Sequence, residues 1–554
     1  MALLLSLTVA MFGASTQPVI AKHGMVVSQE PLATAVGVEV LREGGSAVDA
    51  AVATALALAV THPTAGNIGG GGFMVYRPVS GQPVAYDFRE TAPAGSSAEM
   101  FLVRGAYDFE RHHNSHIAVG VPGTVEGLHL AWSEKGTLPW RRVVQPAIDL
   151  ARDGFVLSHG LASSLADVLP RMVQYPASIA QFSNNGEPYE AGALFLQPDL
   201  ARTLERIAEQ GPEGFYRGET AGLIEAEMLA NGGLITIDDL ASYKAQVRQP
   251  ILGRYRGYDV ISMPPISSGG AALVQMLNIL EGYDLRASGH GSAQTIHLIV
   301  EAMRRAYADR ARYLGDPEFN PTMPIGRLIS KSYAAQLRRS ISVSQASRSS
   351  SDSFEWPVER EETTHLSVVD AERNAVSMTY TLEQGYGSKI VVAGGGFLLN
   401  NEMGDFNAGP GLTDERGLIG TSPNLAEPGK RMLSSMTPTI VTKDGQLFMI
   451  TGSPGGRTII NTVLHTIVNV IDFEMNIQEA VDAPRFHHQW LPDRITYERY
   501  GLSPDTIALL ERRGHTLDQR GRQGVAQAIL YQVEDDVLAG AADRRWVGSS
   551  AAGY

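Results

Sequence analysis

The sequence predicts a layered α+β fold, and changes of hydrophobic spacing along the chain support this prediction. From about residue 125 to 340, apolar residues recur at intervals of three and four, which is typical of amphipathic helices. After a serine-rich stretch the interval becomes two, as in strands, and a long apolar helix follows. Helices before and after a block of antiparallel strands are expected to pack as layers.

The individual elements follow from local signals. A run that is apolar on all sides predicts a buried helix, and a helix commonly ends at glycine, as at Gly44-Gly45. The predicted N-terminal elements are a strand and turn at 18–28, a helix at 32–42, a central helix at 47–60 and a hairpin at 73–76 and 84–88 across Ser80-Gly81. The later elements are helices at 140–152, 198–210, 220–231, 293–314 and 457–473, and hairpins at 366–369 with 375–380 and 436–442 with 446–450.

Composition excludes several classes of protein. The 554 residues carry a net charge of −14, which disfavours nucleic acid as a partner. There is no cysteine, so a disulfide, a thiolate nucleophile and a cysteine zinc site are excluded. With 44% apolar and 19% charged residues, the composition is that of an ordinary globular protein.

Residues 3–12 form a short apolar run followed by small residues. This pattern predicts a secretory signal segment over residues 1–17, although the positive region is missing and the first basic residue is Lys22. The alternative is a buried N-terminal strand. The run is too short to span a bilayer.

A threonine pair, Thr363-Thr364, opens the strand block directly after Glu361-Glu362. Threonine is common in strands, so a purely structural role is one interpretation. The other is that the chain cuts itself between Glu362 and Thr363. The new terminal threonine would then carry both a nucleophile, its hydroxyl, and a general base, its α-amine. The serine-rich residues 340–353 have no apolar period, so we expect them to stay disordered and to let the new chain ends move apart after cleavage.

Several long motifs resemble those of the γ-glutamyltransferase family (γ-glutamyltranspeptidase, glutathione hydrolase). The resemblance extends from about residue 18 to the end of the chain. The matching stretches are GGSAVDAAVA at 44–53, GNIGGGGF at 66–73, DFRETAP at 87–93, TTHLSVV at 363–369, TYT at 379–381, LNNEM at 399–403, LSSM at 433–436, TGSPGG at 451–456 and the final AGY.

The resemblance implies the four-layer αββα sandwich of N-terminal-nucleophile hydrolases and a self-cleaving precursor. Thr363 matches the nucleophile, and Thr381 matches the second threonine that hydrogen-bonds to it. Gly455 and Gly456 match the oxyanion hole, where unpaired N–H groups at a helix start can hold an anion. Without the resemblance, the glycine pair is also compatible with a plain turn before a helix.

The resemblance also implies a clamp for a zwitterionic γ-glutamyl group. Arg89 matches the arginine that binds the α-carboxylate, since a planar guanidinium suits a carboxylate. Ser434 and Ser435 match the paired serines on the same carboxylate. Glu402 and Asp405 match the acidic pair that holds the α-ammonium.

The chain departs from the family pattern in three places. Glu383 stands where the family has an asparagine that contacts the ammonium, and Gly404 precedes Asp405 where Asp-Asp is commoner. Residues 406–433 keep the length of the bacterial lid loop, with Arg416 near the position of its aromatic residue. We therefore expect a lid that closes differently.

Two other sequence patterns do not predict a phosphate-binding or metal-binding site. The run at 69–72 lacks the lysine of a phosphate-binding loop, so we expect it to permit close backbone packing. His112, His113 and His116 lie in a polar stretch for which we predict a loop and no metal site.

The resulting hypothesis is a periplasmic or secreted enzyme that cleaves itself into residues 18–362 and 363–554, two parts of one structural unit. It would transfer γ-glutamyl groups from glutathione and similar amides to water, amino acids or peptides, without a cofactor and without a stable membrane span. Two alternatives stay open: a glutaryl-type cephalosporin acylase on the same scaffold, and an unprocessed, non-catalytic relative.

Overall fold

The computed structural model describes residues 15–349, 363–412 and 420–554. Two seven-stranded antiparallel sheets lie face to face and carry helices on their outer sides. This four-layer αββα sandwich confirms the predicted fold class. The strands are β1 Val19–Ala21, β2 Met25–Ser28, β3 Gly71–Arg77, β4 Val84–Phe88, β5 Leu102–Val103, β6 Ala106–Tyr107, β7 Phe155–Val156, β8 Leu194–Phe195, β9 Gln246–Arg248, β10 Ile251–Tyr255, β11 Tyr258–Ser262, β12 Thr363–Val369, β13 Ala375–Thr381, β14 Thr439–Lys443, β15 Gln446–Gly452, β16 Phe486–His487, β17 Ile495–Glu498, β18 Leu517–Arg520, β19 Gln527–Gln532, β20 Val537–Ala542 and β21 Ser550–Gly553.

Both large sheets mix strands from before and after residue 363. Sheet I has the order β21-β2-β12-β13-β3-β4-β9, and sheet II has the order β1-β20-β19-β15-β14-β11-β10. The predicted first strand and turn at 18–28 is in fact two strands, β1 in sheet II and β2 in sheet I. The chain therefore crosses between the sheets at its first turn.

Helices cover the outer faces of both sheets, and three hydrophobic cores separate the four layers. The first core lies between sheet I and helices that include α2, all of whose residues are buried. The second lies between the sheets, and the third between sheet II and helices that include α17. The helices are α1 Pro31–Arg42, α2 Ala47–Thr61, α3 Phe109–His113, α4 Thr124–Lys135, α5 Trp140–Asp153, α6 His159–Val168, α7 Pro176–Phe182, α8 Pro198–Gln210, α9 Glu213–Tyr216, α10 Gly218–Asn231, α11 Ile237–Ser242, α12 Gly269–Leu280, α13 Leu285–Ser288, α14 Ala293–Tyr313, α15 Ile325–Leu328, α16 Lys331–Arg339, α17 Thr458–Ile471, α18 Ile477–Asp482 and α19 Pro504–Arg512.

The predicted helical region contains strands that the spacing did not indicate. β10 and β11 form a hairpin and β9 joins the edge of sheet I. The turn of the hairpin is Arg256-Gly257, and both residues have positive φ, 47° and 88°. Asparagine or aspartate before glycine is the usual signal for this turn, so an arginine there conceals it.

The expectation of disorder in the serine-rich segment is wrong as far as residue 349, and residues 350–353 lie outside the described residues. The Ser347 N–H donates to Glu301 Oε1 at 3.0 Å, and the Ser349 N–H donates to Asp493 Oδ2 at 2.8 Å. The Ala346 N–H donates to the Arg513 carbonyl at 2.7 Å. Hydrogen bonds to charged groups and backbone thus hold residues 346–349, and Ile341 near the start of the segment is buried in the core between sheet II and its helices.

No helix in the described ranges combines the length and the hydropathy that crossing a bilayer requires. The apolar run at 3–12 lies outside those ranges, and so do Glu362 and Arg416.

We expect the free energy of unfolding to fall steeply below pH 6.5. Burial lowers the pKa of six histidines from 6.5 to about 3 or 4: His62, His365, His465, His487, His488 and His515. The unfolded chain takes up these protons near pH 6.5 and the folded chain does not, so between pH 6.5 and 4 the unfolded state binds more protons. Stability is therefore present above pH 6.5 and is lost as the pH falls through this window. Calorimetry should show Tm lower by about 5 °C or more at pH 4.5 than at pH 7.

Matched variants assign this loss to buried rings. His465, whose Nε2 lies 2.8 Å from the Phe486 carbonyl, is buried, whereas His159 is exposed. His465→Gln should flatten the dependence of Tm on pH, and His159→Gln should not change it. Equal slopes for both variants and the parent would contradict the assignment.

Candidate active site

Thr363 and Thr381 lie directly opposite each other on neighbouring strands. β12 and β13 pair antiparallel, with Thr363 in register with Thr381, and the Thr363 hydroxyl donates to Thr381 Oγ1 at 3.3 Å. Side chains alternate along β12, so that Leu366 and Val368 pack under the helices while Thr363 faces the space between the sheets. Thr363 is 4% exposed. The two predicted threonines therefore form one buried hydroxyl pair.

The glycine run before β3 lets the backbone approach this pair, as predicted. A Cβ atom on Gly70 would lie 2.0 Å from the Thr381 carbonyl oxygen, so only glycine fits. The Asn67 side-chain amide donates to the same carbonyl at 2.8 Å, and the Gly70 N–H donates to Asn67 Oδ1 at 2.9 Å. This end of β13 is thus fixed by the N-terminal half of the chain.

One small pocket gathers eight of the ten predicted catalytic and substrate-binding side chains. Its wall is formed by Arg89, Thr363, Thr381, Glu383, Glu402, Asp405, Ser434, Ser435, Met436 and Ile459. Residues that are far apart in the sequence meet in this pocket, because in sheet I only β3 lies between β4 and the β12–β13 pair. The hydroxyl pair and the ionic groups thus share one space.

Arg89 is fully buried and forms ion pairs with both Glu402 and Asp405. Its Nε–H also donates to the Met432 carbonyl at 3.2 Å, and Glu90 lies 3.7 Å from its guanidinium. Burial opposes the charge on Arg89, but Glu402, Asp405 and Glu90 together raise its pKa above the ordinary value. The predicted cation and the predicted acidic pair therefore neutralise each other in this structure.

Burial also changes the acidity of the carboxyl groups around Arg89. It raises the pKa of Glu90 to about 8, against the opposing effect of Arg89, and raises the pKa of Glu402 well above its usual range. Glu402 Oε2 is buried and has no hydrogen-bond partner in the described part of the chain. The pocket thus offers an ammonium group an acceptor oxygen that no donor of the described residues occupies.

The serine pair is supported by an arginine that the sequence did not indicate. Arg310, on α14, donates from Nη2 to Ser435 Oγ at 2.9 Å and from Nε to Ser268 Oγ at 2.8 Å. Ser434 Oγ accepts the Met436 N–H at 3.1 Å. Arg310 is 4% exposed, so a second buried guanidinium lies beside the side chains predicted to bind a carboxylate. It sits within a basic helix, and no motif singles it out.

Glu383 lies at the wall of the pocket in a left-handed backbone conformation with φ 79°. Its N–H donates to Thr381 Oγ1 at 2.9 Å, and His113 Nδ1 lies 3.2 Å from Glu383 Oε1. Glu383 is 3% exposed. The departure from asparagine therefore places a buried carboxylate next to the hydroxyl pair, and His113 is a partner that the sequence did not reveal.

Gly455 and Gly456 do not line the pocket themselves, but Ile459, in the first turn of α17, does. Gly455 has φ 127° and Gly456 has φ 53°. The first value is accessible almost only to glycine, and a Cβ atom on Gly455 would lie 2.6 Å from Thr458 Oγ1. The pair is thus a tight turn at the start of a helix, whose N–H groups favour negative charge.

The prediction of a loop for the histidines at 112–116 is wrong. His112 and His113 end the short helix α3, whose Asp108 cap accepts the Arg111 N–H at 3.0 Å, and all three histidines are buried. His112 Nε2 lies 3.0 Å from the Met403 carbonyl, and His116 Nε2 lies 3.0 Å from Glu227 Oε1. The N-terminal cap and these contacts overcome the polar composition.

Within the described residues, one group has the geometry to hold a metal ion: His297, Glu301 and His515, whose ligand atoms lie within 4.8 Å of one another. Glu301 already forms ion pairs with Arg304 and Arg305, and the two imidazoles contact each other at 2.8 Å. The group is separate from the Thr363 pocket.

Known proteins resemble the chain over its whole length. The profile of the family described as Gamma-glutamyltranspeptidase matches residues 33–553. A glutathione hydrolase proenzyme of Escherichia coli (strain K12) is 50% identical over 544 residues, which are 97% of this chain and 93% of that protein.

Two crystal structures resemble the fold. Cephalosporin acylase from Bacillus halodurans has a TM-score of 0.86 at 28% identity, covering 100% of this chain and 99% of that one. Helicobacter pylori γ-glutamyltranspeptidase has a TM-score of 0.57 at 44% identity, covering 60% of this chain and 95% of that one. With a family match over nearly its whole length, the chain belongs to the γ-glutamyltranspeptidase family of enzymes.

Proposed function

We propose that the protein is a self-cleaving γ-glutamyltransferase and glutathione hydrolase. The observation that carries this proposal is the pocket in which the Thr363 hydroxyl meets Arg89, the serine pair and the acidic pair. Such a pocket suits an amide whose acyl part ends in both a carboxylate and an ammonium. The 50% identity to a glutathione hydrolase proenzyme supports the same substrate class.

Cleavage between Glu362 and Thr363 would prepare the nucleophile. The Thr363 oxygen attacks the Glu362 carbonyl, the C–N bond breaks, and the acyl group moves to the oxygen as an ester while the hydroxyl proton goes to the freed α-amine of Thr363. Water then hydrolyses the ester to the Glu362 carboxylate and restores the Thr363 hydroxyl. The α-amine is the proposed general base, because burial lowers the pKa of His365, two residues away on the same face, to about 3 and makes that imidazole a weak base. The products would be residues 18–362 and 363–554.

In turnover, the α-amine takes the Thr363 hydroxyl proton while the oxygen attacks the γ-carbonyl of the donor. Thr381 accepts a hydrogen bond from this hydroxyl and is itself held by the Glu383 N–H. The N–H groups of Gly455 and Gly456 stabilise the oxyanion. The amine then gives its proton to the leaving nitrogen, and water or an acceptor amine opens the γ-glutamyl ester.

The clamp binds the rest of the γ-glutamyl group by exchanging ionic partners. The substrate carboxylate replaces Glu402 and Asp405 on Arg89 and accepts hydrogen bonds from Ser434 and Ser435. The substrate ammonium pairs with the displaced carboxylates of Glu402 and Asp405. Every buried charge keeps a partner throughout, which limits the cost of desolvation.

The proposal includes a periplasmic or secreted location, which the apolar run at residues 3–12 supports. Glutathione and related amides are the proposed donors, and amino acids and peptides are the proposed acceptors.

The ammonium subsite separates this function from a glutaryl acylase. A γ-glutamyl anilide should be cleaved at least about 10²-fold faster than the glutaryl anilide, since a buried charged partner is worth about 2–5 kcal/mol. Initial rates on the two anilides, which differ only in the α-ammonium, measure this preference.

Asp405→Asn should reduce the preference by lowering the γ-glutamyl rate. Exposed Asp238→Asn, which lies outside the Thr363 pocket and its neighbouring cleft, is the matched control and should leave the preference unchanged. Equal parent rates on the two anilides would instead support the acylase.

A further inference from the structure

A second, larger cleft lies directly behind the wall of the Thr363 pocket. Its volume is about 820 Å³, and we call it the side cleft. Glu383 lines the Thr363 pocket, while the next residue, Gln384, lines the side cleft. His113 also lines the side cleft and contacts Glu383 at 3.2 Å. The wall between the two spaces is therefore about one residue thick.

The loop that forms this wall is conformationally unusual. Glu383, Tyr386 and Lys389 all have positive φ, 79°, 62° and 66°, and all three are buried at 3% exposure. Positive φ is energetically unfavourable for residues other than glycine. Clusters of such residues therefore occur where the surrounding structure maintains the conformation at a functional site. Two of the three, Tyr386 and Lys389, turn toward the side cleft.

Lys389 is a buried cation that faces the side cleft. Its Nζ donates to the neutral Gln384 Oε1 at 3.2 Å, and it forms no salt bridge with any carboxylate of the described residues. Burial lowers the pKa of Lys389 to about 8; Glu383 opposes this shift, and Arg171 contributes to it. The hydrogen-bond partner of this buried ammonium is neutral, and Glu383 and Glu110 offset the effect of burial on its pKa only in part, so the site favours binding of an anion.

The mouth of the side cleft carries charges of both signs. Arg171 and Asp167 are exposed there, and Glu110 also lines it. The cation at the base and the mixed charges at the rim match an amino acid or short peptide with a free carboxylate. A dipeptide spans about 7 Å, which is comparable with the thickness of one layer of residues.

We propose that the side cleft binds the acceptor, with Lys389 and Arg171 holding its free carboxylate while its amine reaches the ester on Thr363. This inference rests on the proposed transferase function and adds the location and the charge preference of the acceptor site. The leaving dipeptide of glutathione, which also ends in a carboxylate, fits the same groups.

The test compares two acceptors that differ only in the carboxylate. With a γ-glutamyl anilide as donor, kcat/KM is measured for glycylglycine and for glycylglycine amide. Their ratio cancels any effect of a variant on ester formation. The parent should prefer the acid, and Lys389→Met should lower the ratio about tenfold or more, as expected for a lost charge-assisted hydrogen bond.

Arg171→Gln is a second variant at an exposed position, where folding is not at risk. It should lower the ratio by a smaller factor. Lys244→Met is the matched control, since this lysine is 68% exposed and lies outside the cleft, and its ratio should equal that of the parent.

A parent ratio of one, or a ratio unchanged in both Lys389→Met and Arg171→Gln, would overturn the acceptor site. Neither result would contradict the proposed function. That function is contradicted if the parent does not release aniline from the donor when water is the only acceptor.

Discussion

Replacing Thr363 by alanine is expected to leave the chain uncut and without turnover. The hydroxyl of Thr363 supplies the attacking oxygen in both reactions, and its partner Thr381 is buried behind it. Removing the nucleophile of such a site typically costs about 10⁴-fold or more in rate. A denaturing gel should show one band near 59.5 kDa, and hydrolysis of a γ-glutamyl anilide should fall to background.

The neighbouring threonine provides the control. Thr364 is buried on the same strand, in register with Tyr380 on the helix-facing side, and its hydroxyl has no hydrogen-bond partner among the described residues. Thr364→Val keeps its shape and should be cut and active. N-terminal sequencing of the smaller parent fragment should begin at Thr363. Turnover by Thr363→Ala, or a fragment that begins elsewhere, would refute the nucleophile assignment; a single band from the parent would support the unprocessed, non-catalytic alternative.

Replacing Arg89 by methionine should damage both binding and stability. It removes the proposed carboxylate ligand, which is expected to lower kcat/KM about 10²-fold or more. It also leaves Glu402 and Asp405 without their buried partner, and breaking a buried pair in this way costs about 3–5 kcal/mol. Steady-state kinetics and denaturant unfolding measure the two effects separately.

Two further variants separate binding from packing. Adding Glu402→Gln to Arg89→Met should recover part of the stability, because it removes one unpaired carboxylate, but none of the activity. Arg485→Met is the matched control, since Arg485 is equally buried, pairs with Asp543 at 2.7 Å and lies outside the pocket. It should lose stability while keeping its preference for γ-glutamyl over glutaryl anilides. Loss of that preference in Arg485→Met would show that stability alone explains the Arg89 effect.

Local patterns predicted much of the fold. The helix over 47–60 and the hairpin that carries Thr363 were recognisable because their apolar periods are long and uninterrupted. The hairpin of β10 and β11 escaped because Arg256-Gly257 is an uncommon turn pair. The order of the serine-rich segment escaped because its contacts are to Glu301, Asp493 and Arg513, all distant in sequence.

The sequence likewise indicated some residues of the candidate site and missed others. Family motifs indicated ten catalytic and substrate-binding residues, and eight of these line the Thr363 pocket. Arg310, His113 and Lys389 were not indicated, because each is defined by what it contacts across the fold. The pairing of Arg89 with its own acidic neighbours also depends on burial, which a motif does not express.

The alternation of strands from before and after residue 363 has a mechanical consequence. In sheet I, β2 lies between β21 and β12, and β13 pairs with β3; in sheet II, β1 pairs with β20, and β11 with β14. Backbone hydrogen bonds in five strand pairs thus join the two prospective fragments. Scission between Glu362 and Thr363 would free a terminus without freeing a subunit. The products should neither exchange between molecules nor separate on dilution, and neither fragment alone would contain a complete sheet.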